Sequence, residues 1–301
     1  MHTCIIAPTP DLVRFVGYDQ RYHLALAHIH FDSYLKFYFR RSQRGDFVIL
    51  DNGAKELGRG LDMDTLLNRA GLIEASELVL PDVRFSSEKT LESTEAALRR
   101  LERYSYEDTL LGSVSRRLRY MIVPQGGSPS AWRICLERLL ESCDRHGLAR
   151  ERVTVGVGYH YDHLFDDGYA DLFLSVPLDL HIHALGLPRR LESVHDVLDT
   201  RREVRSIDSS RPVVYGGYKL PMWSPLTGEQ TRYPGRWDDY FNTPVGLGRD
   251  QQVLDNIAKF RWLAQDSWSM RKCVQCESET LYVKAQTSRI TCARGHDLGP
   301  W

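Results

Sequence analysis

Short apolar runs that alternate with segments of helical period constrain this chain more than any other feature of its sequence. The runs are Phe47–Asp51, Glu77–Asp82, Arg119–Gln125, Val153–Gly158, Asp179–Gly186 and Val204–Ser209, and residues 4–7 offer another. Each is rich in Val, Ile or Leu and too short for a buried helix, so each is expected to be a strand. The clearest helix between them spans Ser128–His146. Ser128 is its N-cap and Pro129 its first residue; Trp132, Cys135, Leu136, Leu139, Leu140 and Cys143 form one apolar stripe, and Gly147 ends it. Residues 86–104 repeat the pattern with Leu91, Leu98 and Leu101, and Pro188–Leu198 gives a short third helix. Strand–helix alternation implies a parallel sheet covered by helices. The number of repeats, and the lack of a Gly-rich dinucleotide fingerprint after the first strand, favour a closed (β/α)8 barrel of the TIM type over an open doubly wound sheet.

Two regions break the alternation. Residues 211–248 hold five prolines and six glycines, interleaved with Tyr215, Tyr218, Trp223, Tyr233, Trp237, Tyr240 and Phe241. Such aromatic content suits a long ordered loop at the barrel mouth rather than a linker. A helix over Asp250–Gln265 follows. The chain therefore divides into a barrel domain over 1–266 and a small unit over 267–301. That unit carries Cys273-x2-Cys276, fifteen further residues, then Cys292-x3-His296. Two knuckles at this spacing read as a closed Cys3His site for structural zinc, built on a hairpin of Thr280–Val283 and Arg289–Thr291. The other cysteines, Cys4, Cys135 and Cys143, are scattered, so no disulfide framework is implied.

In a barrel the reactive groups stand at the C-terminal ends of the strands. Those ends supply Asp51, Asp82, Gln125, Gly156 with Gly158, and Asp208. A single strand-end carboxylate often does no more than cap the next helix. Three carboxylates and an amide on one face suit glycosyl transfer, in which one carboxylate attacks the anomeric carbon and another manages the leaving group's proton. Two His-x-His pairs, His28-Ile29-His30 and His181-Ile182-His183, leave a metal-dependent, amidohydrolase-like barrel open as an alternative. Against it, the segment Tyr22–Tyr38 reads as a helix, on which residues i and i+2 do not face each other.

The ordered series Asp51-Asn52-Gly53, Asp82, Pro124-Gln125-Gly126-Gly127, Gly156-x-Gly158, His183-x-x-Gly186 and Asp208 resembles the motifs of the tRNA-guanine transglycosylase (queuine tRNA-ribosyltransferase) superfamily. It is most similar to phage-type enzymes that place 7-deazaguanines in DNA. The resemblance covers roughly residues 45–215. It implies an exchange of guanine for a 7-deazaguanine, such as 7-cyano-7-deazaguanine, through a covalent glycosyl-enzyme. Asp208 would be the nucleophile and Asp51 the acid/base. Asp82 and Gln125 would recognise the base, with Asn52 and the backbone at Gly126 and Gly158. The sequence departs from the tRNA enzymes in two places. Asn52-Gly53-Ala54-Lys55 replaces Ser-Gly-Gly-Phe, and the cysteine spacing differs.

A net charge of −1 means that no global field draws nucleic acid, so binding would fall to local patches. Clusters such as Arg99-Arg100-x-x-Arg103 and Arg201-Arg202-x-x-Arg205 are candidates, as is the aromatic loop with Lys219, Arg232 and Arg236. The expected partner is DNA, with tRNA as the alternative; a non-catalytic zinc-ribbon protein that binds nucleic acid is a third reading. No apolar run is long enough to span a bilayer and the N-terminus lacks a signal-like pattern. The expected compartment is the cytoplasm, that of the host if the chain is phage-encoded.

Overall fold

The computed structural model describes residues 1–17, 20–161, 169–186, 204–223, 231–265, 270–272 and 279–281. Eight strands form one sheet: β1 (His2–Ile5), β2 (Tyr22–Leu26), β3 (Phe47–Asp51), β4 (Glu77–Val79), β5 (Arg119–Ile122), β6 (Val153–Gly158), β7 (His181–Leu185) and β8 (Val204–Ser209). Their order is β1-β8-β7-β6-β5-β4-β3-β2 and every pairing is parallel. The strands between the edges are buried on both faces, which is why they read as unbroken apolar runs rather than as alternation. The edge strands β1 and β2 lie against each other without a ladder, so the sheet is a nearly closed barrel of the (β/α)8 type.

Two tyrosines serve the open seam. They come from α2 (Asp32–Gln43), which follows the four-residue α1 (Leu12–Phe15). The Leu26 N–H donates to the Tyr34 hydroxyl at 2.7 Å, and the Tyr38 hydroxyl donates to the Leu24 carbonyl at 3.3 Å. Both rings are buried, so these side chains satisfy edge groups that would otherwise be orphaned in the core.

The remaining helices are α3 (Ala54–Leu57), α4 (Met63–Leu72), α5 (Ser87–Ser105), α6 (Leu110–Arg117), α7 (Pro129–Arg145), α8 (Tyr169–Ser175), α9 (Arg211–Gly217) and α10 (Asp250–Gln265). In α7, Ser128 caps by accepting from the Ala131 N–H at 3.1 Å, and all six residues of the expected stripe are buried. Gly147 supplies the left-handed exit, at φ 68°. In α5, Ser86 is the cap and Leu98 and Leu101 lie in the core. No helix among the described residues is long and apolar enough to cross a membrane.

The structure corrects the sequence reading at several points. Tyr22–Tyr38 is not one helix: β2 ends at Leu26, a turn carries His28 and His30, and α2 begins at Asp32. The long loop opens with a helix, α9, so the irregular part begins at Tyr218. In the C-terminal unit, β9 (Met270–Lys272) pairs antiparallel with β10 (Glu279–Leu281). Thr280 and Leu281 are strand, paired with Arg271 and Met270, while the rest of the expected hairpin, 282–283 and 289–291, lies outside the described residues. Cys273, Cys276, Cys292, His296 and the helix expected over Pro188–Leu198 lie outside the described residues.

The barrel's N-terminal end is plugged by a buried ion pair. Arg205 sends Nη1 and Nη2 to the two carboxylate oxygens of Glu77 at 2.8 Å each, and Thr154 adds a third bond at 3.0 Å. Burial alone would raise the Glu77 pKa; Arg205 outweighs that and holds it below the usual carboxylate range. The opposite end remains for the cavity.

Candidate active site

A cavity opens at the C-terminal mouth of the barrel. Asp51, Asn52, Asp82, Gln125, Gly158 and Asp208 all line it, contributed by β3, β6, β8 and the segments that follow β3, β4 and β5. The expected residues therefore come together, with one exception. Gly126 stands behind the wall: its N–H donates to the Tyr161 hydroxyl at 3.1 Å, and a Cβ there would lie 2.5 Å from the Trp132 nitrogen. Its small size admits the start of α7; it does not face the cavity.

The three aspartates have different surroundings. Asp51 ends β3, keeps a small accessible edge and receives the Gly53 N–H at 3.1 Å. Burial, then the nearby Glu56 carboxylate, pushes its pKa up to about 8, so it carries a proton at neutral pH. Asp82 is buried and has a donor on each oxygen: Asn52 Nδ2 at 2.7 Å and Gln125 Nε2 at 2.7 Å. Burial raises its pKa to about 6, and these two amides oppose the rise. The amides are themselves pinned. Asn52 Nδ2 also donates to the Leu80 carbonyl, and its Oδ1 accepts from the Ala54 N–H. Gln125 Oε1 accepts from the Phe85 N–H and the Tyr161 hydroxyl. Asn52 and Gln125 thus hold Asp82, while Asp82 presents its spare lone pairs to the cavity.

Asp208 sits near the end of β8, 6 % exposed. Its Oδ1 accepts the Gly186 N–H at 2.8 Å and lies 3.2 Å from His183 Nε2. No donor among the described residues reaches Oδ2, which is left to the cavity. Gly186 adopts φ 80°, a backbone that aims its N–H at the carboxylate. The motif His183-x-x-Gly186 marked both residues without revealing that they converge on Asp208.

Several cavity residues were not among the expected site residues. Lys55, where the resemblance has phenylalanine, places Nζ 5.3 Å from the centre of the Tyr159 ring, so on this side the aromatic surface comes from the segment after β6. Arg236, from the aromatic loop, donates to Glu56 Oε1 and Ser210 Oγ at 3.2 Å each, and its guanidinium packs over Tyr240 and Phe241. It ties the loop across the mouth from the end of β8 to α3. Nothing in the local sequence of Lys55 or Glu56 distinguishes them from surface charges, whereas Arg236 belongs to the aromatic loop whose cations the sequence offered for binding.

The two His-x-His pairs do not assemble. His30 is exposed and its Nδ1 lies 3.1 Å from the His28 carbonyl within its own turn; His181 begins β7 at the opposite end of the barrel from Asp208. Among the described residues, no group of three or more His, Cys, Asp or Glu side chains could hold a metal ion. The described arginine clusters are largely matched by acids, as in Arg99–Glu95, Arg100–Asp64 and Arg103–Glu107. No protein-family model and no curated protein matches the sequence.

Proposed function

We propose that this chain is a transglycosylase that exchanges guanine for a 7-deazaguanine in DNA through a covalent glycosyl-enzyme. The observation that carries the reading is the meeting of Asp51, Asp82 and Asp208 in one cavity, where burial and the Glu56 carboxylate favour the protonated form of Asp51 and donors among the described residues reach only one oxygen of Asp208. Asp208 Oδ2 attacks C1′ of the target nucleotide, and the C1′–N9 bond breaks. Asp51 gives its proton to the departing guanine. The incoming 7-deazaguanine then loses its N9 proton to the Asp51 carboxylate, N9 attacks C1′, and the ester bond to Asp208 breaks. Protons and charges balance over the cycle. Asp82, fixed by Asn52 and Gln125, accepts from the N–H groups that distinguish a guanine-type base.

The C-terminal unit is read as a zinc ribbon. Its described part, the β9–β10 pair, flanks the knuckle of Cys273 and Cys276. With Cys292 and His296 these give the thiolate-rich donor set that zinc prefers, closed to water and so structural.

Incubation with labelled 7-cyano-7-deazaguanine and either DNA or tRNA, followed by nucleoside analysis, tests the function. Label in DNA supports it, label in tRNA alone transfers the reaction to tRNA, and label in neither overturns it. Asp208→Asn is expected to abolish the covalent protein–polynucleotide adduct, because an amide cannot form the ester. An adduct that survives assigns the nucleophile elsewhere.

A further inference from the structure

We infer that His183 is a positioning residue that sets which oxygen of Asp208 reacts, through a buried relay running from Ser206 to His183 to Asp208. The inference rests on reading Asp208 as the nucleophile. The relay is made by a register shift between β7 and β8: Ile182 pairs with Val204, but His183 pairs with Ser206, so Arg205 is passed over. In regular pairing His183 would face Arg205. The shift sets it beside Ser206 and, two residues on along the same face of β8, Asp208.

His183 and Ser206 are fully buried, with His183 Nδ1 2.7 Å from Ser206 Oγ and Nε2 3.2 Å from Asp208 Oδ1. A carboxylate only accepts, so Nε2 carries the hydrogen. In the neutral ring Nδ1 then accepts from the Ser206 hydroxyl, which fixes the tautomer. Hydrolases combine the same residue types with serine as nucleophile. Here the serine lies under the imidazole, out of reach of any substrate, and the end of the relay that meets the cavity is the aspartate.

Two N–H groups, from His183 and Gly186, therefore converge on Oδ1. They lock the carboxylate plane and leave Oδ2 to bond C1′. Once the ester forms at Oδ2, Oδ1 is its carbonyl oxygen. The same N–H groups take up the charge that returns to the carboxylate as the C1′–Oδ2 bond breaks, which is the electrostatic role of an oxyanion site.

Two measurements test this. Steady-state exchange on DNA is expected to fall in His183→Leu by about 10²–10³ in kcat, the range for one lost oxyanion donor, with KM within about threefold. His183→Gln, which can present an N–H near the same place, is expected to recover about tenfold over His183→Leu, a rescue that a purely packing role would not give. A folded His183→Leu with normal kcat, or a His183→Gln no better than it, overturns the proposal. Independently of any reaction, two-bond 1H–15N spectra of the full chain, assigned by difference against His183→Gln, should show the His183 ring protonated at Nε2 and bare at Nδ1. An Nδ1–H tautomer overturns the relay even if exchange is normal. Absence of exchange in wild type, with the Nε2–H tautomer present, counts against the transglycosylase reading and leaves the link to Asp208 standing.

Discussion

The backbone N–H of Gly186 donates to Asp208 Oδ1 at 2.8 Å, while the face of Gly186 that lacks a side chain is filled by the Tyr159 ring. One residue therefore serves both the carboxylate and the aromatic wall. A Cβ at this position would lie 2.4 Å from Tyr159 Cδ1, on a backbone at φ 80°. Gly186→Ala is expected to lose about 1–2 kcal/mol from the left-handed backbone alone, with the clash in addition. Exchange activity should fall as the N–H swings off Asp208. Adding Tyr159→Ala should recover stability, measured by denaturant unfolding, without restoring activity.

Asp51 links activity and stability through pH. Its pKa of about 8 in the folded chain stands above the roughly 3.9 of an unfolded aspartate. Between those values the folded state keeps a proton that the unfolded state releases, so this group's contribution to stability declines as pH rises from about 4 to about 8. Asp51→Asn removes the titration. Its melting temperature should exceed that of wild type by more at pH 8 than at pH 5, while turnover drops about 10²–10⁴ for loss of acid/base help. A melting difference that is flat across this range would contradict the assigned shift.

Glu77 and Arg205 make the opposite case. Arg205→Met leaves a carboxylate of zero exposure with only the Thr154 hydroxyl and the longer 3.5 Å contact to Arg119, and is expected to cost up to about 3–5 kcal/mol, the usual penalty for breaking a buried pair. In wild type the depressed Glu77 pKa gives stability that is present above the unfolded value and lost as pH falls through the folded one. In the variant, burial raises the Glu77 pKa instead. The deficit relative to wild type should therefore shrink between pH 7 and pH 4.5, as followed by thermal unfolding.

For the C-terminal unit, the purified chain is expected to carry one zinc per molecule, bound by Cys273, Cys276, Cys292 and His296. Cys276→Ser should lower metal content and solubility together, since binding energy at such a site is folding energy. Exchange at Asp208 should persist in the folded fraction. Two metals per chain, with activity lost in His181→Ala through metal release, would favour the metal-dependent hydrolase.

Much of this architecture could be read before the structure. The bounds of β3, β6 and β8 match their expected runs residue for residue; in β3 and β6 this follows from burial on both faces, which keeps a parallel strand largely apolar. Strand β2 was hidden. Tyr22-His23-Leu24-Ala25-Leu26 has no β-branched residue, and no glycine or proline separates it from α2, so strand and helix fuse into one helical pattern. Asp51, Asp82, Gln125 and Asp208 were legible because topology alone sends strand ends to the mouth. The contacts that give those residues their chemistry were not. His183 and Asp208 are 25 positions apart and meet through a register shift, and Glu56 meets Arg236 across 180 positions. No local pattern encodes such pairings.

The seam between β1 and β2 gives the cavity one pliant side. Ile6, Leu24 and Leu26 line it beside the aspartates. Around the rest of the circumference, widening the cavity means tearing a ladder of backbone bonds. Along the seam it means releasing the hydroxyls of Tyr34 and Tyr38, at about 1 kcal/mol each. Under the proposed exchange, a base bearing a bulkier 7-substituent would find its room there, and two tyrosines absent from the cavity lining would set that limit.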